Sequence, residues 1–302
     1  MKFMTAIIED LKKIALRTPN IPAAVVCPDQ ESVLLAVNEA RKIGLIDPIL
    51  VGNKKLLEKV ASKIDLNIQN YNIVETSNEQ ESASVACQMA NESSIKIIVK
   101  GNIHTDILMR FYLKKEFNLL QGKRLSHIWH MTAPQLKKPI YITDGALNVL
   151  PRIEIKLQIL KNAVEFYNKI NNNKPKVAIL SGTEEPIESM PSSVEASKVM
   201  ELAKEENINA IIHGPLAFDN AVSKKAAEIK KIDNEVAGSA DILLVPNIET
   251  GNSLSKIMVY FMNACAAGII VGGKTPLVLP SRADSMNSKL ASIMAAIIAS
   301  QS

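Results

Sequence analysis

Short apolar runs rich in valine and isoleucine alternate along the chain with longer segments in which apolar residues recur every three or four positions. The short runs are typical of strands buried on both faces, and the longer segments are typical of amphipathic helices. Strands are predicted at residues 23–27, 48–51, 95–99, 125–131, 139–143, 177–180, 210–212, 242–245, 268–271 and 277–279. Helices are predicted at residues 31–42, 53–63, 78–91, 106–115, 152–171, 192–206, 219–231, 252–264 and 284–300. The alternation predicts an α/β fold with largely parallel sheets and helices on both faces.

The length of 302 residues is enough for about two domains, and the prolines and lysines of residues 133–139 interrupt the pattern where a domain change is plausible. The net charge of +4 comes from basic and acidic residues spread along the chain, and aromatic residues make up only 4%. A nucleic-acid partner therefore has little support. We expect a small-molecule partner.

Localisation is predicted from cysteine usage and from the N-terminal pattern. The three cysteines form no CxxC pair and lie in apolar runs, which favours reduced thiols and a cytoplasmic protein. Residues 1–16 carry charges within an apolar pattern, as in an amphipathic helix and unlike the core of a signal peptide. Since no apolar run reaches about 18 residues, no membrane span is expected.

Glycine and small polar residues follow most of the predicted strands, and a predicted helix usually begins shortly afterwards. The segments are Lys100-Gly-Asn-Ile-His-Thr-Asp106, Asp144-Gly-Ala-Leu-Asn148, Ser181-Gly-Thr183, His213-Gly-Pro215, Pro246-Asn-Ile-Glu-Thr-Gly-Asn252 and Pro280-Ser-Arg-Ala-Asp284. Glycine lets the backbone approach a ligand, and the start of a helix presents unpaired N–H groups. Several such junctions at one edge of a sheet predict an anion site for a phosphate-bearing substrate.

The segment Ser281-Arg282-Ala283-Asp284 has two interpretations. Serine and aspartate three residues apart before a helix form a variant of the capping box, which accounts for Ser281 and Asp284 without any ligand. Arg282 is not explained in that way, because the helix macrodipole disfavours a cation at the helix start. A guanidinium there indicates an anion that both the arginine and the helix end bind.

Two further segments are ambiguous. The segment Thr250-Gly251-Asn252, with Lys256 one turn later, is as compatible with an ordinary capped helix and a solvated lysine as it is with a ligand site. Residues 268–275 match the phosphate-loop pattern G-x-x-x-x-G-K-[ST], but a strand is predicted where the loop should be, and Pro276 follows where a helix should begin. We interpret that match as accidental, although a nucleotide triphosphatase stays an alternative.

The histidines form no metal-ligand set. His127 and His130 flank Trp129 in a predicted strand, where packed histidines are common, whereas His104 and His213 lie in predicted strand-end loops where a substrate can be contacted. The sequence also lacks the G-x-S-x-G, H-E-x-x-H and G-x-G-x-x-G patterns. We therefore expect no metal and no permanently bound cofactor.

The strand-end segments resemble, in order and spacing, those of the phosphate acetyl/butyryltransferase family. The resemblance extends from about Lys100 to the C-terminus, and its most specific pieces are Gly214-Pro-Leu-Ala-Phe-Asp219 and Ser281-Arg-Ala-Asp-Ser285. The Ser281–Ser285 segment resembles that of the butyryltransferase branch of the family. Acetyltransferases of the family carry an aspartate seven residues after this serine, where this chain has Ser288.

The resemblance implies a reversible acyl transfer between coenzyme A and inorganic phosphate, by direct attack in a ternary complex and without a metal. Coenzyme A would be a substrate, and a homodimer or higher homo-oligomer is implied. The implied fold is that of the isocitrate and isopropylmalate dehydrogenases, with the active site in a cleft between two α/β domains. Residues 1–134 and 280–302 would form the first domain, and residues 135–279 the second.

The resemblance also implies roles for individual residues. Arg282 would hold phosphate, Ser281 would add a hydrogen bond, and Asp284 would be the base, with Asp144 as a rival. Arg110 would meet the phosphates of coenzyme A. The remaining candidate substrate-binding residues are His104, Thr105, Asn148, Thr250, Gly251, Asn252 and Lys256.

Three alternatives stay open at this point. Acetyl-CoA can replace butyryl-CoA as the substrate, because one methylene changes discrimination by only about 1–3 kcal/mol. From other classes, a phosphate-loop triphosphatase and a non-catalytic protein that binds coenzyme A are also compatible with the sequence.

Overall fold

The computed structural model describes residues 2–281 and 284–301, with side chains from Ile8 onwards. In chain order the strands are β1 (Ile21–Val26), β2 (Ile46–Gly52), β3 (Asn72–Glu75), β4 (Ile97–Lys100), β5 (Ser126–Thr132), β6 (Ile140–Thr143), β7 (Lys176–Leu180), β8 (Ile211–Leu216), β9 (Ile242–Leu244), β10 (Cys265–Val271) and β11 (Leu277–Val278).

The helices are α1 (Lys2–Ala15), α2 (Glu31–Lys42), α3 (Lys54–Lys63), α4 (Glu79–Asn91), α5 (Thr105–Tyr112), α6 (Ile153–Ile170), α7 (Pro191–Glu205), α8 (Phe218–Val222), α9 (Lys224–Ile229), α10 (Ile248–Met262) and α11 (Met286–Ser300). The chain divides into two compact units. The terminal unit comprises Thr5–Lys123 and the described residues of Cys265–Ser302, and the central unit comprises Arg124–Ala264 together with residues 2–4 at the start of the chain.

The sheet of the terminal unit has the strand order β3-β2-β1-β4-β11-β10. All neighbours are parallel except β10 and β11. Strands such as β4 are buried along their whole length because helices cover both faces of a parallel sheet. Helix α11 packs on β10 and α2 and buries ten of its 15 residues, including Ile293 and Ile297.

The sheet of the central unit has the strand order β5-β6-β9-β7-β8 and is parallel except for the β5–β6 pair. Helices α6 and α7 pack against each other and against this sheet. Because β6 and β9 are parallel neighbours, with Thr143 opposite Leu244, the loops that follow them emerge at the same edge of the sheet.

The predicted α/β class with largely parallel sheets is confirmed, and three local predictions differ from the structure. Strand β3 was missed because its only apolar residues are Ile73 and Val74. The predicted helix 219–231 is two helices, since Ser223 has extended backbone and caps α9 by accepting from the Ala226 amide. Helix α10 begins at Ile248 and not at residue 252 as predicted. The domain boundaries at residues 134 and 280 stay a prediction.

Candidate active site

The loop after β6 is organised around a buried carboxylate. Asp144 is 2% exposed. Its Oδ1 accepts from the amides of Ala146 at 3.0 Å and Leu147 at 2.9 Å. Its Oδ2 accepts from the His127 amide at 2.9 Å and from Asn148 Nδ2 at 2.6 Å. Four donors to one charged acceptor hold residues 144–148 in a single conformation.

Asn148 extends this network to the start of the unit. Its Nδ2 also donates to the Leu125 carbonyl at 3.0 Å, and its Oδ1 accepts from Arg124 Nε at 2.8 Å. The Asn148 side chain is 3% exposed and makes hydrogen bonds through both of its polar atoms. Asn148 therefore fixes the loop and orients the guanidinium of Arg124.

The beginning of α10 packs directly on this loop. Asn247 caps the helix, with its Oδ1 accepting from the Thr250 amide at 2.9 Å and from Thr250 Oγ1 at 2.7 Å. The helix predicted from residue 252 therefore begins earlier, and Thr250 and Asn252 both lie within it. Asn252 Nδ2 instead donates to the Gly145 carbonyl at 3.3 Å.

Two glycines make the close approach of α10 and the loop possible. A Cβ atom on Gly251 would lie 2.8 Å from both the Asp144 carbonyl oxygen and the Cα atom of Gly145. One on Gly145 would lie 3.0 Å from Trp129 Nε1. No side chain fits at either position without a shift of its neighbours. The structure thus brings Asp144, Asn148, Gly251 and Asn252 together, while half-buried Lys256 lies one turn further along α10.

Two buried aromatic side chains on β5 support the loop. His127 and Trp129 pack edge to face with ring centroids 4.4 Å apart. Burial lowers the pKa of His127 to about 4, with the nearby Asp144 carboxylate acting in the opposite direction. A neutral histidine in the interior has a structural role near neutral pH, as the sequence indicated for this strand.

Within the terminal unit, the candidates on α5 are exposed. His104 is the N-cap residue, and its amide donates to Glu79 Oε2 at 3.2 Å. Thr105 begins the helix. Arg110 lies at 3.5 Å from Asp106 Oδ2, in a pair whose side chains are 68% and 71% exposed. Such a pair contributes little stability, so the guanidinium can change partner at small cost. The other predicted strand-end histidine, His213, lies inside β8.

A second candidate group of the terminal unit precedes α11. The Ser281 amide donates to Asp284 Oδ2 at 2.7 Å, and the Asp284 amide donates to the Ser281 carbonyl at 3.1 Å. The helix itself begins at Met286 and is capped by Ser285. Ser281 and Asp284 therefore close a turn ahead of the helix and do not cap it, which corrects the capping-box interpretation. Arg282 lies outside the described residues.

Ser288 has a structural role in α11. The residue is 5% exposed, and its Oγ accepts from the Ala266 amide at 3.2 Å, while its own amide donates to Ser285 Oγ. The side chain thus ties the first turn of α11 to β10. A carboxylate at this place would have to be buried against these groups.

The apparent phosphate loop is a β-hairpin. Residues 268–271 belong to β10, and residues 272–276 connect it to antiparallel β11, with no helix after Lys274. Lys274 Nζ donates to the Asn91 carbonyl at 2.6 Å. A Cβ on Gly273 would lie 2.2 Å from Tyr112 Oη, so the turn is packed against the protein. This geometry removes the reason for the triphosphatase alternative.

Thiol nucleophiles and metal sites have little support among the described residues. None of the three cysteines forms a disulfide, and burial raises the pKa of Cys27 to about 11 and that of Cys87 to about 12. Over residues 2–281 and 284–301, no three His, Cys, Asp or Glu side chains cluster as metal ligands. No helix in the same ranges is long and apolar enough to cross a bilayer.

The sequence predictions missed three residues of the central-unit network. Asn247 precedes α10, and asparagine is a common N-cap residue. This preference is the signal by which the sequence could have identified Asn247. Arg124 and His127 lie far from residues 144–148 in the sequence. Their roles depend on the β5–β6 pairing, which no local pattern specifies.

Comparison with known proteins identifies the class. Residues 80–299 match the family described as phosphate acetyl/butaryl transferase. The chain belongs to this family and is a phosphate acyltransferase, as its strand-end segments predicted.

Some relatives are named phosphate acetyltransferase and others phosphate butyryltransferase. The chain is 39% identical to a phosphate acetyltransferase of Rickettsia prowazekii over 93% of its length and 81% of the relative's. It is 38% identical to a probable phosphate butyryltransferase of Bacillus subtilis, over 93% and 94% of the two chains. Among solved structures, a branched-chain phosphotransacylase from Enterococcus faecalis is 32% identical with a TM-score of 0.84, over 93% of this chain and 99% of the other.

Proposed function

We propose that this protein transfers a short acyl group of about four carbons between coenzyme A and inorganic phosphate, forming butyryl phosphate and coenzyme A from butyryl-CoA. The observation that carries the acyl preference is Ser288. A buried, hydrogen-bonded serine occupies the place where acetyltransferases of the family carry an aspartate. Phosphate acetyltransferase is the second candidate, and the 39% identity to the Rickettsia enzyme favours it.

In the proposed reaction, a phosphate oxygen attacks the thioester carbonyl carbon, the new C–O bond forms, and the C–S bond breaks with release of the thiolate. No metal takes part. Arg282 holds phosphate through a pair of N–H groups and offsets negative charge on the carbonyl oxygen, and Ser281 assists it. Arg110, with its exposed guanidinium, meets phosphate groups of coenzyme A.

The two candidate bases differ in their surroundings. Asp144 accepts four hydrogen bonds and is 2% exposed. Asp284 is partly exposed, and its Oδ2 accepts one hydrogen bond within the turn. In the reverse direction Asp284 is therefore our choice to take the thiol proton, and Asp144 positions the loop.

Several other features stay predictions: the dehydrogenase-like arrangement with a cleft between two domains, the homodimer, and the cytoplasmic location. The roles of His104, Thr105, Thr250 and Lys256 as substrate contacts are proposals as well. In this scheme Asn148, Gly251 and Asn252 line the acyl-phosphate end.

The test is thiol release from acyl-CoA by the purified protein, with and without phosphate. We expect release only with phosphate, and the highest kcat/KM for butyryl-CoA in a series from C2 to C6. Release without phosphate would identify a thioesterase. A maximum at acetyl-CoA would favour the second candidate, and affinity for coenzyme A without turnover would indicate a binding protein.

Replacement of Arg282 tests the mechanism. Arg282→Ala should lower kcat/KM for phosphate by about 100-fold or more if the guanidinium stabilises the transition state. Arg17→Ala, at an exposed arginine of the same unit, is the matched control and should leave the kinetics unchanged. Near-normal kinetics of Arg282→Ala would remove this residue from the mechanism.

A further inference from the structure

An open groove lies beside the Asp144 loop, wholly within the central unit. It has a volume of about 550 Å³, in the range of ligand sites, and its walls come from Arg124, residues 147–152 and the first turn of α6. We refer to it as the Arg124–Arg152 groove. None of the residues predicted for substrate binding lines it except Asn148.

The groove is lined by more positively charged than negatively charged side chains. Arg124 and Arg152 line it together with one carboxylate, that of Glu154. Throughout the described part of the chain, neither arginine forms an ion pair with a carboxylate. Arg124 is exposed, and its Nε–H donates to the Oδ1 atom of buried Asn148. A fixed guanidinium of this kind is suited to a phosphate or carboxylate ligand.

The position of Arg152 strengthens the argument. Arg152 is the N-cap residue of the 18-residue helix α6, and its side chain makes no capping hydrogen bond. A cation at the start of a helix is opposed by the macrodipole. An anion bound between Arg152 and Arg124 would reverse that unfavourable interaction.

The groove is also apolar in part. Val149 and Leu150 are 62% and 74% exposed, although large apolar side chains at a surface are usually covered when they lie next to each other. Cationic side chains next to apolar side chains match a ligand that carries both phosphate and a flat or aliphatic portion.

We propose that the Arg124–Arg152 groove binds the phosphate-bearing nucleoside end of the coenzyme A substrate, with Val149 and Leu150 in contact with its apolar portion. This inference rests on the proposed function, because it assigns a place to that substrate. It adds two arginines of the central unit to the recognition of coenzyme A.

The test uses Arg152→Gln, since Arg152 is exposed and its replacement leaves the buried network intact. Loss of one charge-assisted contact should raise KM for acyl-CoA by about 10-fold or more, with kcat and KM for phosphate within about 2-fold of the wild type. Binding of adenosine 3′,5′-bisphosphate, followed by calorimetry, should weaken by a similar factor. Arg17→Gln is the matched control and should change neither quantity.

A substrate without the nucleotide separates recognition from a structural effect. With an acyl thioester of N-acetylcysteamine, Arg152→Gln should react as fast as the wild type. An equal loss with both substrates, or an unchanged KM for acyl-CoA in Arg152→Gln, would overturn the inference. If the wild type releases no thiol with phosphate, the proposed function fails, and the calorimetry still tests the groove by itself.

Discussion

The loop at residues 144–148 and the turn at residues 281–285 both follow a strand, and both contain a candidate catalytic aspartate. In the central unit the carboxylate of Asp144 is buried and accepts four hydrogen bonds. In the terminal unit the carboxylate of Asp284 is partly exposed and accepts one hydrogen bond, from the Ser281 amide. The first arrangement uses the carboxylate to hold the backbone, while the second leaves the carboxylate partly exposed.

Among single substitutions, the largest expected effect on stability comes from removing the buried carboxylate. Asp144→Ala should lower the free energy of unfolding by about 3 kcal/mol or more, because several donors lose their acceptor in a buried place. Urea unfolding of this variant beside Asp284→Ala measures the difference directly. Equal stability losses in the two variants would contradict the contrast between the loop and the turn.

Acid should destabilise the central unit through its buried histidines. Burial lowers the pKa of both His127 and His130 from 6.5 to about 4. Between these values the unfolded chain binds more protons, so stability is present above pH 6.5 and decreases as the pH falls toward 4. The expected loss is about 1.4 kcal/mol per pH unit for each histidine.

Urea titrations between pH 7 and 4.5 measure this dependence. His130→Gln should show a shallower decrease in the free energy of unfolding than the wild type over the same range. The replacement can lower the absolute stability, so the slope and not the value at one pH is compared. Parallel curves would mean that His130 does not contribute to the acid sensitivity.

The packing of α10 on the loop gives a smaller effect. Gly251→Ala should cost about 1–3 kcal/mol of stability, since the new methyl group would lie 2.8 Å from the Asp144 carbonyl oxygen. Gly52→Ala in the terminal unit is the control, because its nearest atom would lie at an ordinary 3.4 Å. If Gly251→Ala and Gly52→Ala change the thermal unfolding temperature equally, the close approach of α10 to the loop does not require glycine at residue 251.

The smallest stability effect is expected for Asp284→Ala, at no more than about 1 kcal/mol, because one partly exposed hydrogen bond is lost. If Asp284 takes the thiol proton, kcat in the direction that consumes coenzyme A should fall while the fold is retained. An unchanged kcat would exclude Asp284 as the base.

The glycine-containing segments that carry most candidate residues do follow strands, while the roles of these residues in a site stay predictions. Glycine and small polar residues after apolar runs identified the loops after β4, β6 and β9. The start of α10 was placed too late because Asn247 and Thr250 are equally good caps by identity, and the choice follows from geometry. The hairpin of β10 and β11 resembled a phosphate loop because a sequence pattern does not specify whether a helix follows.

The sequence by itself determined the fold class and the family, and it predicted the strand ends that carry the candidate site residues, because apolar periodicity and strand-end residues are local properties. Only the tertiary structure decided that Asp144 is an acceptor for four donors and that Arg124 and Arg152 line one groove. These residues come from segments far apart in the sequence, and their distances are set by strand pairing and by the packing of α6 and α10. Burial then distinguishes the carboxylate of Asp144, which holds the backbone, from that of Asp284, which is partly exposed.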